Sequence, residues 1–200
     1  MAGNLLDIGQ PGIVLPARIV VDSSLIVPRL RAAQRTLTPI AAGRARQFFR
    51  LLLAESTLGY VPPTAYSEVL HYVLKAHFRD QLAAHRADLA ASQPGQRGFD
   101  WLDLYKLRPA LIAQLRPDLE LLLTLLHTNG PAVIQSLDMQ PLASERSWED
   151  VLAEVVLRYH LDTSDAAILL EAQRAGITSI ATLDADLRRA ARDFDVYTWL

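Results

Sequence analysis

The chain has 200 residues, half of them hydrophobic, and a formal net charge of −2, which provides for one domain with a sizeable core and lies too near neutrality for a basic nucleic-acid coat. With no cysteine, disulfide frameworks, thiolate nucleophiles and cysteine-based zinc sites are excluded together. The opening MAGNLLDIGQPGIVLPA carries Asp7 and two prolines without a basic start, a poor secretory signal, and the longest apolar run, Leu121 to Leu126, is too short to cross a bilayer; a soluble, cytoplasmic protein without membrane contact is expected.

Residues 1–17 stand apart as an N-terminal extension. Arg18-Ile19-Val20-Val21-Asp22 is a β-branched run that ends in an acid and two serines, as a buried strand opening into a loop does. A helix is expected to begin within 24–35, and another over 40–55, where Phe48, Phe49 and Leu51 to Leu53 recur among Arg44, Arg46 and Arg50. Leu58 to Val61 reads as a second strand, closed by Pro62 and Pro63. Thr64 is the expected N-cap of a helix with Glu68 near its first turn, continuing through Phe78 and Leu82 toward Leu89. After the loop Ser92 to Gly98, helices are expected at Trp101 to Leu107 and Pro117 to His127, so that about 77–129 forms a helical insertion.

Beyond the turn at Asn129-Gly130-Pro131, Ala132 to Gln135 reads as a third strand and Trp148 to His160 as an amphipathic helix. A helix from about Asp165 to Ala175 is capped by Gly176 and followed by the strand Ile177 to Ala181; Val196 to Trp199 is the last strand. Strands alternating with helices imply a parallel sheet covered on both faces. Residues 18–200 therefore read as a single domain.

The acids follow from this order. A helix of about eleven residues advances roughly 16 Å, and a strand of about five returns a similar distance. Asp165, which opens a helix, and Asp184, which closes a strand, are thus expected on the same carboxyl edge. Asp22 ends a strand and Glu68 follows one, which places both on that edge, where open α/β sheets bind ligands. Each acid has an ordinary reading as well: Asp165 and Glu68 suit a helix N-terminus, Asp184 a turn, Asp22 a cap. Four converging carboxylates repel unless neutralised. Mg²⁺ or Mn²⁺ is the fitting hard cation, taking carboxylate, water and phosphate oxygens; it polarises a phosphoryl oxygen and acidifies a bound water, as in nucleases.

Other chemistries fit less well. A phosphohydrolase with an aspartyl nucleophile would want a second acid two residues after Asp22, where Ser24 stands, and a supporting lysine that neither Lys75 nor Lys106 supplies. No G-x-S-x-G, P-loop or G-x-G-x-x-G motif occurs. His71, His77 and His85 do not share a helix face and read as ordinary surface or core histidines rather than zinc ligands. A catalytically silent interaction module remains the alternative to an enzyme.

Four stretches, Val20-Val21-Asp22-Ser23-Ser24-Leu25-Ile26, Val61-Pro62-Pro63-Thr64-Ala65-Tyr66-Ser67-Glu68-Val69, Ser164-Asp165-Ala166-Ala167-Ile168 and Ala181-Thr182-Leu183-Asp184-Ala185-Asp186-Leu187, together resemble the PIN domain family of metal-dependent ribonucleases, including the toxins of VapBC toxin-antitoxin pairs. The resemblance implies a three-layer α/β/α sandwich with a mostly parallel, about five-stranded sheet. It also implies an acidic quartet of Asp22, Glu68, Asp165 and Asp184 around Mg²⁺ or Mn²⁺. By the same match Ser23 and Thr182 supply small hydroxyls that orient a carboxylate or a metal water, and Asp186 is a further, water-mediated ligand. Asp162, one turn before Asp165, either joins this shell or caps the helix. Arg29, Arg31, Arg44, Arg46 and Arg50 are the candidate RNA contacts, each with the ordinary reading of a solvated basic face. The expected partners are an RNA substrate, an antitoxin protein and a second copy of the chain. The helical insertion and residues 1–17 depart from the family's minimal pattern.

Overall fold

The computed structural model describes residues 3–30, 38–129 and 131–200. Its centre is a six-stranded sheet of β1 (Leu5–Asp7), β2 (Arg18–Val21), β3 (Leu58–Val61), β4 (Ala132–Val133), β5 (Ser179–Ala181) and β6 (Asp195–Thr198), in the order β1-β6-β5-β2-β3-β4. Every pairing is parallel, so the carboxyl ends of all strands share one edge. The helices are α1 (Ser23–Ile26), α2 (Pro39–Ala54), α3 (Pro63–Gln81), α4 (Arg86–Ser92), α5 (Trp101–Leu107), α6 (Arg116–Asn129), α7 (Trp148–Tyr159) and α8 (Thr163–Arg174). They flank the sheet in a three-layer α/β/α sandwich. Among the described residues no helix is long and apolar enough to cross a membrane.

The central strands are short apolar runs because they are covered on both faces: Ile19, Val20 and Val21 of β2 and Ile180 and Ala181 of β5 are all fully buried. Val21 lies opposite Ala181, which brings the residues just beyond these two strands side by side. The sixth strand is β1, contributed by the segment 1–17. It pairs Leu5 with Val196 and Asp7 with Thr198, and Ile8 behind it is fully buried. Its three residues at a sheet edge carry no alternation by which a sequence reading would find it.

Two helical expectations are corrected. The first turns after β2 form the short α1 and a 3₁₀ turn at Val27–Arg29; the rest of the expected helix lies mostly outside the described residues. The helix expected to reach Leu89 stops at Gln81, and α4 folds back. That turn lets Leu89 join Phe78 and Leu104 in a fully buried satellite core under the insertion. Phe78 also packs edge-on to Tyr105 at 5.5 Å. Burial of these apolar rings outweighs the local helical preference of the alanines between the two helices.

Candidate functional site

Asp22 leaves β2 at the carboxyl edge and caps α1. Its Oδ2 accepts hydrogen bonds from the Ser24 amide at 3.3 Å, from the Ser24 hydroxyl, and from the Thr182 hydroxyl at 2.8 Å. Those two hydroxyls have their own lone pairs engaged, Ser24 Oγ by the Leu183 amide and Thr182 Oγ1 by the Asp184 amide, each at 2.8 Å. Their hydrogens are therefore directed at Asp22, whose Oδ1 receives no hydrogen bond among the described residues. The side chain is only 3% exposed. Burial pushes the carboxyl above its ordinary range, the hydroxyls oppose this, and the neighbouring Glu68 adds to the rise.

Glu68, in the second turn of α3, accepts from Ser23 of α1 at 2.6 Å on one oxygen and from Ser164 of α8 on the other. Asp165 lies in the first turn of α8. Its carboxyl is pushed up to about 7, first by burial and then by the charges of Asp162, Asp184, Asp22 and Glu68. The other three acids of the quartet, and Asp162 with them, thus lie near enough to act on Asp165 through their charge. Asp162 caps α8, its Oδ1 accepting from the Asp165 amide at 2.9 Å. Asp186 differs: its amide donates to Asp184 Oδ1 at 2.8 Å, but its carboxylate is exposed and pairs with Arg189 at 2.7 Å.

Among the described residues no arginine or lysine pairs with any of these five clustered acids. All donors are hard oxygens and, among the described residues, Asp22 Oδ1 accepts no hydrogen bond and the charge has no cationic partner, so the donor chemistry fits Mg²⁺ or Mn²⁺. Among the described residues no three acidic or imidazole groups are drawn around a single point. The fit is to an ion held by one or two carboxylates with water completing its shell.

Neither a family model nor a curated protein matches this chain.

Three residues of the site were not found by sequence reasoning. Ser24 and Ser164 hold Asp22 and Glu68; both adjoin acids already singled out, and a hydroxyl beside a carboxylate was the available signal. The third is Glu171, only 6% exposed within the apolar face of α8. Its carboxylate accepts from the Thr64 amide at 3.0 Å and the Thr64 hydroxyl at 2.8 Å. Thr64 is therefore not the cap of α3. Pro62 holds that position without a side-chain bond, and Glu171 reaches across to satisfy the helix start. An acid inside a buried apolar stretch was the clue. Glu171→Ala should destabilise the protein by about 1–2 kcal/mol, because the part-buried Thr64 donors lose a charged acceptor. The midpoint of urea unfolding, with its slope unchanged, measures this, and Glu171→Gln should recover most of the loss.

The described candidate RNA contacts lie on or against α2. Arg29 stacks over Phe49 at 5.6 Å with its Nε buried and unpartnered, and Arg44 stacks over Trp199 at 5.7 Å. Arg46 and Arg50 are exposed on α2. Arg31 lies outside the described residues.

Proposed function

We propose that this chain is a PIN-like endoribonuclease that uses Mg²⁺ or Mn²⁺, and that it acts as a toxin restrained by an antitoxin partner. The observation that carries the reading is the setting of Asp165 at the carboxyl edge of a parallel sheet, where burial and the charges of four other carboxylates raise its pKa and, among the described residues, no arginine or lysine pairs with any of the five. Of Asp22, Glu68, Asp165 and Asp184, one or two would hold the ion directly and the others through its waters, and the ion's part would be Lewis-acid polarisation of a phosphoryl oxygen.

The chain's own groups prepare that site. Ser24 and Thr182 fix one oxygen of Asp22 and leave the other without a hydrogen bond among the described residues. Ser23 and Ser164 grip Glu68 from two helices. Such hydrogen-bonded support holds carboxylates in place despite their mutual repulsion.

The test is cleavage of mixed single-stranded RNA by the full chain in Mg²⁺ and in Mn²⁺ against an EDTA control. Activity should require a metal and fall at least about tenfold in Glu68→Gln, since the neutral amide cannot replace a charged ligand. A folded wild type inactive with both ions would return the interaction-module reading. The toxin role is read separately: growth arrest on expression should be relieved by coexpression of the adjacent open reading frame.

A further inference from the structure

Beside the acids lies an open pocket of about 370 Å³ lined by Thr64, Ser67, Glu68, His71 and Ser164. It shares Glu68 and Ser164 with the site described above. Thr64, Ser67, Glu68 and His71 stand at positions i, i+3, i+4 and i+7 of α3, which places them on one helix face. Lys75, four residues further, continues that face and makes no ion pair among the described residues. From Glu68 to Lys75 the helix advances about 10 Å. At this far end the insertion meets α3, where the His71 ring packs edge-on against Trp101 of α5 with centroids 5.3 Å apart.

A polymer whose reacting phosphate sits at the acids must continue in some direction. This face offers it, in order, hydroxyls, an exposed ring braced by a tryptophan, and an uncommitted cation. Those are the elements that hold single-stranded nucleic acid: a platform for base stacking and positive charge for the backbone. The acids themselves repel the backbone, so attraction has to come from groups such as Lys75.

We infer that the α3 face from Ser67 to Lys75 is a single-stranded RNA subsite, in which His71 stacks a base next to the reacting phosphate and Lys75 meets a neighbouring phosphate. The inference rests on the ribonuclease reading and assigns the insertion a task, that of bracing His71 through Trp101. It also separates the RNA track from the arginines of α2.

The test is fluorescence anisotropy with a short fluorescein-labelled mixed-sequence RNA and the full chain, in EDTA and again in Ca²⁺, over a range of salt. His71→Ala should weaken binding about tenfold. Lys75→Ala should weaken it several-fold at low salt and reduce the slope of log affinity against log salt by about 0.7, the loss of one single-strand phosphate contact. Lys106→Ala, on α5 and off this face, should bind as the wild type does. If His71→Ala and Lys75→Ala both bind within about twofold of the wild type, or the wild type binds no RNA, the subsite is refuted. A chain that cleaves RNA yet shows unchanged affinity in both variants refutes the subsite alone. One that holds RNA through His71 and Lys75 but cleaves none in Mg²⁺ or in Mn²⁺ refutes the ribonuclease reading alone.

Discussion

Asp22→Asn is expected to fold and to lose metal-dependent RNA cleavage by on the order of 10²-fold or more, which is about 3 kcal/mol of transition-state stabilisation. The side chain is the most deeply placed of the acids, and its Oδ2 is already surrounded by donors from Ser24 and Thr182. An asparagine retains the shape and can leave its oxygen among those donors. Its amide nitrogen then takes the place of Oδ1, the atom left free for a cation, and cannot ligate one. Removal of a buried charge near Glu68 also relieves repulsion, so the melting temperature without metal should be unchanged or higher. Circular dichroism beside the cleavage assay separates lost chemistry from lost fold. Full activity in a well-folded Asp22→Asn would remove Asp22 from the mechanism.

The second large effect is a dependence of stability on pH set by Asp165. Its carboxyl rises from an ordinary 3.8 to about 7. Below about 4 both folded and unfolded chains hold the proton. Between about 4 and about 7 the folded protein keeps a proton that the unfolded chain has released, so stability without metal should fall as pH rises, and the decline should level off above about 7. The half-buried side chain is partly screened by solvent, which reduces the full conversion to about 1–2 kcal/mol. Asp165→Asn should flatten this decline and be the more stable protein near pH 8. Added Mn²⁺ should oppose the decline in the wild type, since an ion that binds the ionised form competes with the proton. Urea unfolding across pH, with and without Mn²⁺, reads both. A wild-type profile indifferent to pH and to Mn²⁺ would mean that the acids do not crowd as described.

The legibility of this molecule followed the range of the forces involved. Runs such as Ile19 to Val21 and the apolar stretch of α8 announce themselves, because burial on both faces leaves no polar position in a strand. The direction of each acid was legible too, since helix rise and strand rise alone return the chain from Asp165 to the edge where Asp184 lies. What was hidden depended on partners far away in sequence. Thr64 looked like a cap because caps are local, whereas its actual acceptor, Glu171, lies 107 residues further on. The break after Gln81 was set by Leu89 meeting Phe78 and Leu104, and no local preference records such a meeting. Asp186 reads from the sequence as a further, water-mediated ligand, whereas Arg189, one turn along, engages its carboxylate.

The hydrogen bond from Thr182 to Asp22 spans 160 residues, and the contact from Asn4 to Asp195 that accompanies the edge strand spans 191. Loop-closure entropy slows such distant encounters, so the pairing of β2 with β5 and of β1 with β6 is expected late in folding. No excised fragment carrying only one end of the polypeptide can recreate the acidic centre. The grouping of the acids is a property of the finished topology.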